Sequence, residues 1–107
     1  MKPLFFLGAS RKAIAGFPVT ARREAGYQLD QVQYGNEPTD WKPMSTVGAG
    51  VREIRLHTDG EHRVIYLATR GDAVYVLHAF AKKSGRTPKP HIDTAKTRYR
   101  QLMEAKR

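Results

Sequence analysis

Apolar positions at the start of the chain follow first a continuous pattern and then a helical one. Residues 4–7 of PLFFLG are wholly apolar and end at a glycine, as in a strand covered on both faces. In SRKAIAGF, Ala13, Ile14 and Phe17 recur at helical spacing behind Ser10, which is the predicted N-cap. The pattern therefore predicts a strand followed by a short helix.

A second, longer helix is predicted from Pro18 onward. Its apolar positions recur every three or four residues, which indicates one stripe facing a core: Ala21, Ala25, Leu29 and Val32. Gly35 is the predicted C-cap, because glycine readily adopts the backbone conformation that ends a helix. Together, the two helices are predicted to form a helical hairpin.

After a loop, the apolar period changes to two. Residues 36–50, NEPTDWKPMSTVGAG, hold two prolines and two glycines without any period, and this composition predicts a loop. VREIRLH then alternates, with Ile54 and Leu56 on one face. The turn TDGE carries Asp59-Gly60, a strong hairpin signal, and RGDA separates the strands HRVIYLAT and VYVLHAF. Three strands joined by tight turns predict an antiparallel meander.

The last predicted element is a helix that begins near Thr87. Thr87 or a neighbouring residue is expected to cap it, and Pro88 and Pro90 fit only its first turn. Its apolar stripe is Ile92, Ala95, Tyr99 and Leu102. The order β-α-α-β-β-β-α predicts one α+β domain over residues 1–107, in which the hairpin and the C-terminal helix pack on a small, mostly antiparallel sheet.

Charge narrows the class of partner. The chain has a formal net charge of +9, which favours polyanions, nucleic acid first and then an acidic protein or a membrane surface. Cysteine is absent, so disulfides, thiolate metal sites and cysteine nucleophiles are excluded. The apolar run at residues 4–7 is too short for a signal peptide or a membrane span. We expect a cytoplasmic protein that does not associate with membranes.

The motifs of several enzyme classes are missing from the sequence. It has no glycine-rich phosphate loop that opens a helix and no zinc-protease motif. The four histidines, at positions 57, 62, 78 and 91, are scattered without metal-ligand spacing. We therefore expect neither a metal nor a cofactor.

Candidate chemistry lies on the meander. If Ile54 and Leu56 face the core, Glu53, Arg55 and His57 share the opposite face. In the next strand either Arg63 or Tyr66 joins that face, and the third strand carries His78 before it delivers Lys82 and Lys83 to the sheet edge. Such groups suit ribonuclease chemistry, in which a base takes the 2′-hydroxyl proton, cations stabilise the phosphorane, and an acid protonates the leaving 5′-oxygen.

Simpler interpretations of the same residues stay open. Glu53, Arg55 and Arg63 are equally compatible with an ordinary surface salt-bridge network, which contributes little to stability. Tyr66 is compatible with a core tyrosine whose hydroxyl meets water, and Trp41 with a cap on the core rather than a base-stacking platform.

An ordered set of four motifs resembles a known superfamily. The motifs are residues 52–55 (REIR), residues 63–66 (RVIY), residues 77–83 (LHAFAKK) and Thr87-Pro88. In this order they resemble the RelE/ParE superfamily of toxins, and most closely its HigB-like, phage-type branch. The preceding strand and helical hairpin also fit, so the resemblance covers essentially the whole chain.

The resemblance implies the toxin of a type II toxin–antitoxin pair, acting as a ribosome-dependent mRNA endonuclease, or mRNA interferase. Its partners would be a cognate antitoxin, often a helix-turn-helix protein, and mRNA on the small ribosomal subunit. Arg55 matches a strand cation of RelE-like enzymes, Arg63 matches the arginine after the turn, and Lys83 matches a further catalytic cation. The phosphate-binding set comprises Arg52, Lys82, Lys83, Arg86 and Lys89.

The general base is left open by the resemblance, because Glu53 stands where RelE itself has a lysine. Glu53, His57 and His78 are the three candidates. Two other functions also stay open: a ParE-like gyrase poison on the same fold, and a non-catalytic basic module that binds RNA or DNA.

Overall fold

The computed structural model describes residues 1–69, 72–83 and 85–106. The strands are β1 (Leu4–Phe6), β2 (Trp41–Pro43), β3 (Val51–Leu56), β4 (His62–Ala68) and β5 (Val74–Ala81). The helices are α1 (Ser10–Ala15), α2 (Val19–Gln33) and α3 (Lys89–Ala105). This is the predicted α+β architecture, and its sheet and helices have the arrangement of a RelE-like fold.

Five strands form one sheet in the order β1-β5-β4-β3-β2. The β3-β4-β5 meander is antiparallel as predicted, whereas β1 runs parallel to β5 and pairs Leu4 with Val74. Arg55 lies opposite Arg63 across β3 and β4, and Arg63 lies opposite Phe80 across β4 and β5. An irregularity at Ile65/Tyr66 shifts the register between β4 and β5.

The helical hairpin of α1 and α2 covers one face of the sheet. The predicted α2 stripe is buried there, with Ala21 and Ala25 fully inaccessible. It packs against Ile54 and Leu56 of β3 and against Tyr66 of β4. Tyr66 is therefore a core residue on this face, and Arg63 is the β4 side chain that shares the other face with Glu53.

The third helix covers the opposite face. Ala95 and Leu102 are buried against Ile65, Leu77 and Phe80. Tyr99 is packed over Gly48 so closely that a side chain at residue 48 would overlap its ring. The predicted apolar stripe of α3 is confirmed, and the sheet lies between two helical layers.

Turn chemistry confirms the first hairpin of the meander. Asp59 and Gly60 both have positive φ, at 53° and 98°, and they lie within the connection of residues 57–61 that joins Leu56 of β3 to its partner His62 of β4. The second predicted turn, RGDA, includes residues 70 and 71, which lie outside the described part of the chain.

Two local predictions were wrong. Residues 36–50 are not all loop, because β2 lies within them and pairs antiparallel with β3. Ser10 does not cap α1: it is the first helical residue, and its buried hydroxyl donates to the Val76 carbonyl, 3.2 Å away. The cap of α3 is Pro88, the neighbour of Thr87, as one of the two predicted alternatives allowed, and the Thr87 hydroxyl donates to Glu53.

Two expectations about exposure also change. Glu53 and Arg63 do not form a surface network, because their accessible fractions are 0% and 5%. Lys82 and Lys83 follow β5, which is an inner strand between β1 and β4 rather than the sheet edge. The packing of α3 and the segment before it on the sheet buries Glu53 and Arg63. The pairing of β1 with β5 makes β5 an inner strand.

Candidate functional site

Glu53 is the centre of a polar cluster beneath the segment that enters α3. The carboxylate is fully buried, and its Oε2 accepts a hydrogen bond of 2.9 Å from the Thr87 hydroxyl. Its Oε1 lies 3.8 Å from both Lys42 Nζ and Arg63 Nε, beyond hydrogen-bond distance. The carboxylate therefore anchors the chain at Thr87 and offers negative charge to two cations.

Four cations surround this one buried carboxylate: Lys42, Arg55, Arg63 and Lys82. The pKa of Lys82 is lowered first by burial and then by repulsion from Arg63, Lys42 and Arg55, while Glu53 offsets part of the effect. Glu61 also pairs with Arg63, but two carboxylates do not neutralise four cations, so the cluster has a positive surplus. An anion that entered it would relieve the repulsion.

Two arginine donors in the cluster lack hydrogen-bond partners. Arg55 Nε and Arg63 Nε are buried and have no acceptor among the described residues. A small cleft of about 120 Å³ opens beside Arg63, lined by Glu61, Arg63, Lys82, Lys83 and Gly85. Buried donors without an acceptor are costly unless something binds them, and a phosphate oxygen carries the charge that such donors bind.

His57 lies at the rim of the cleft between two carboxylates. Its Nε2 is 2.6 Å from Asp40 Oδ2, and its Nδ1 is 2.8 Å from Glu61 Oε2. These two hydrogen bonds raise the pKa of His57 despite slight burial. Glu61 also accepts 3.0 Å from Arg63 Nη2, and its pKa is lowered by hydrogen bonds from His57 and Arg63. His57 is thus connected to Arg63 through Glu61.

His78 belongs to a second cluster, between β5 and α3. Its Nε2 lies 2.8 Å from His91 Nδ1, and its Nδ1 lies 3.3 Å from Arg98 Nη1. Burial lowers the pKa of His78 to about 4, with further contributions from His91 and Arg98. The Phe80 ring stacks on His91 at a centroid distance of 4.0 Å and an angle of 8°.

The remaining predicted residues lie apart from Glu53. Arg52 is on the hairpin side of the sheet, where its guanidinium lies 3.9 Å from the Trp41 ring centroid and 3.5 Å from Glu37. Arg86 is exposed, and exposed Lys89 pairs with Asp93 at 2.9 Å within the first turn of α3. The structure therefore brings together Glu53, Arg55, Arg63, Lys82 and Lys83, and it separates Arg52 from them.

Sequence reasoning missed Lys42 and Glu61. Lys42 was assigned to a loop, and only the β2–β3 register places it opposite Glu53. Glu61 stands in a turn, where a carboxylate ordinarily indicates solvent exposure. The one signal was its position two residues before Arg63, a spacing that puts alternate residues on the same side of an extended chain.

Cavity size alone does not identify this site. A larger cavity of about 420 Å³ lies near the N-terminus and the end of α2, lined in part by Lys2, Gln33 and Tyr34. In the described part of the chain, no group of three or more metal-ligating side chains is close enough to hold an ion. None of the helices in that part has the length and apolar character that crossing a bilayer requires.

The five-stranded sheet between two helical layers has the arrangement of a RelE-like fold. The family described as phage-derived protein Gp49-like (DUF891) matches residues 12–100, and the chain belongs to this family. It is a RelE/HigB-like toxin-type family, so the chain is a phage-derived, toxin-like protein for which an antitoxin partner is suggested. No curated protein matches the sequence.

Proposed function

We propose that the protein is the toxin of a type II toxin–antitoxin pair and cleaves mRNA on the ribosome. The observation that carries the proposal is the cluster of four cations around buried Glu53, with two arginine donors that lack acceptors. Such a cluster suits a phosphodiester whose charge grows in the transition state. The proposed partners are a cognate antitoxin and mRNA in the small subunit.

Phosphate binding is assigned to the cations of the cleft. Arg63 and Lys82 reach the cleft from β4 and from the end of β5, and exposed Lys83 extends the positive wall toward solvent. Arg55 supplies a buried Nε donor from the neighbouring strand. Glu53 is a positioning residue, because it is fully buried and holds Thr87 and Arg63 rather than reaching a substrate.

Proton transfer is assigned to the rim pair, Glu61 and His57. Glu61 lines the cleft, and hydrogen bonds from His57 and Arg63 lower its pKa, so it is ionised at neutral pH and its carboxylate is assigned the 2′-hydroxyl proton, although the same lowered pKa makes it a weak base. His57 has a raised pKa, and its Nε2 proton, which faces Asp40 in the free protein, is assigned to the leaving 5′-oxygen. The 2′-oxygen–phosphorus bond forms, the phosphorus–5′-oxygen bond breaks, and a 2′,3′-cyclic phosphate and a 5′-hydroxyl result. A proton passing from Glu61 to His57 restores both groups.

The test is cleavage of a defined message on translating ribosomes, read by primer extension. We expect wild-type protein to cut within the coding region and to leave 2′,3′-cyclic phosphate ends. Lys83→Ala is the cleanest variant because Lys83 is exposed, and it should slow cleavage by about tenfold. Arg63→Ala should slow it by about a hundredfold or more, since the main phosphate donor is lost.

The matched control is Arg22→Ala. Arg22 is an exposed arginine of α2 that donates to the Ala15 carbonyl, on the hairpin side of the sheet. Cleavage should be unchanged in this variant. Intact messages with wild-type protein would contradict the proposal, and DNA damage with intact messages would indicate a gyrase poison instead.

A further inference from the structure

The second cluster joins three side chains in a row outside the cation-lined cleft. Arg98 of α3 donates to the Leu77 carbonyl at 2.8 Å, and the same nitrogen lies 3.3 Å from His78 Nδ1. His78 Nε2 in turn lies 2.8 Å from His91 Nδ1. The guanidinium is packed over Gly8, where any side chain would displace it. Arg98 is therefore held in place by β1–α1 and by β5.

The donors and acceptors of this row have one consistent assignment. A guanidinium can only donate, so His78 Nδ1 must accept and the proton of neutral His78 is on Nε2. His78 Nε2 therefore donates to His91 Nδ1, and the proton of neutral His91 is on its own Nε2. A second proton on His78 would place an Nδ1–H donor against the Arg98 guanidinium. A second proton on His91 would place an Nδ1–H donor against the Nε2–H of His78.

His91 Nε2 is the end of the row and is open to a ligand. None of the residues that the structure describes forms a hydrogen bond with this atom. The atom is also not one of the buried polar atoms that lack a partner, so it is accessible to solvent. The ring lies flat on Phe80, which pairs with Arg63 across β4 and β5. The donor is thus one strand away from the cation cluster.

We propose that His91 is an RNA-binding residue, a neutral imidazole whose Nε2–H donates to a phosphoryl oxygen next to the scissile one, with His78 and Arg98 as positioning residues. The inference rests on the proposed function, and it assigns a role to a side chain outside the candidate set. It also removes His78 from the candidate bases, because both of its ring nitrogens are engaged.

The charge state of both rings supports this role. Burial lowers the pKa of His91, and it lowers that of His78 to about 4, so both rings are neutral at neutral pH. The charged groups nearest to the pair are Arg98 on α3, and Lys89 and Asp93, which pair with each other in its first turn. A neutral donor binds phosphate without a pH dependence of its own.

The first experiment determines the tautomers by long-range proton–nitrogen NMR on the purified protein. We expect both His78 and His91 to carry their proton on Nε2 at neutral pH, since burial lowers the pKa of each. Arg98→Met frees His78 Nδ1, so a mixture of tautomers and a titration nearer the ordinary value of about 6.5 should follow. Mixed tautomers in the wild-type protein would overturn the inference.

The second experiment measures binding of a fluorescein-labelled, single-stranded RNA of mixed sequence by anisotropy at fixed salt. His91→Phe keeps the stack on Phe80 and loses the donor, so the dissociation constant should rise about tenfold. His91→Gln places an amide N–H near the position of Nε2 and should recover most of that loss. Unchanged binding in His91→Phe would overturn the inference.

The two proposals fail in different ways. If wild-type protein binds RNA and His91→Phe binds it more weakly, the inference stands even when ribosomes show no cleavage, and only the proposed function fails. If wild-type protein cleaves and His91→Phe binds and cleaves normally, the proposed function stands and the inference fails. A wild-type protein that binds no RNA contradicts the inference alone, because the proposed function is tested by cleavage on ribosomes.

Discussion

The two faces of the sheet are covered by helices, but they differ in what lies beneath the cover. The hairpin of α1 and α2 seals an apolar face, where Ile54 and Val64 have no accessible surface. On the other face, α3 covers the apolar part, and residues 85–88, which lead into α3, lie over Glu53. Glu53 and Arg63 are buried on this face with polar partners.

The difference indicates that the hairpin face stabilises the fold and that the α3 face carries the proposed binding site. The hairpin face gains free energy from apolar contacts, and neither Glu53 nor Arg63, the buried carboxylate and the buried arginine of the described residues, lies on it. The α3 face buries a carboxylate and two arginine donors that lack acceptors. Burying such groups lowers the free energy of unfolding, so stability alone does not explain their presence. Substitutions on the two faces should therefore separate stability from activity.

Ile54→Ala on the hairpin face should have the largest effect on stability. Ile54 is fully buried beside α2, so truncation removes transfer free energy and leaves a cavity, which together cost about 3–4 kcal/mol. Urea unfolding followed by circular dichroism measures the loss. RNA binding per folded molecule should stay at the wild-type level. A loss of binding in the folded fraction would show that the two faces are not separable.

Acidification should weaken the α3 face through His78. Its folded pKa of about 4 lies below the unfolded value, so between about pH 4 and 6.5 the unfolded chain binds more protons and stability rises with pH. Over that window the difference is at most about 3 kcal/mol, since each pKa unit corresponds to about 1.4 kcal/mol.

The comparison for this prediction is His78→Phe, which cannot titrate. The unfolding free energy of the variant should lose most of its dependence on pH over the same window. The opposite sign is expected of exposed His57: its folded pKa is raised, so its contribution is present below the unfolded value and is lost as pH rises through the folded pKa. A wild-type curve that falls with pH between 4 and 6.5 would contradict the assignment to His78.

Thr87→Val on the α3 face should have the smallest effect on stability of the three. It removes the hydrogen bond that the Thr87 hydroxyl donates to buried Glu53, at a cost of about 1–2 kcal/mol. Because that bond positions the segment over the cleft, RNA affinity should also fall. The control is Thr94→Val. The hydroxyl that it removes donates to the Pro90 carbonyl on the exposed side of α3. Equal effects of the two substitutions on RNA affinity would rule out a special role for Thr87.

Much of the fold could be predicted because it depends on local periodicity. The α2 stripe, the alternation of β3 and the Asp59-Gly60 turn each express a spacing or a backbone preference of neighbouring residues. The short strand β2 could not be predicted in this way. It is three residues long, includes a proline and owes its structure to pairing with β3.

The candidate site was predictable only in part. Arg55 and Arg63 could be assigned to neighbouring strands, because the Asp59-Gly60 turn marks a hairpin between them. A two-residue turn there would pair Arg55 with Val64, and only the tertiary structure places it opposite Arg63. Lys42 and His91 could not be placed, because each reaches its partner through pairing or packing with a distant element. Arg52 was grouped with the phosphate-binding cations, whereas neighbours in a strand face opposite sides and its side chain lies on the hairpin side of the sheet.

The sequence by itself determined every element except β2, the order of those elements, the positive charge and the meander, since these follow from periodicity, turn residues and composition. Only the tertiary structure decided that α3 covers the charged face and that Glu53 is buried under Thr87. It also decided that His78 meets His91 and Arg98. The physical reason is that burial and side-chain pairing depend on which distant segments pack together, and local spacing carries no information about that choice.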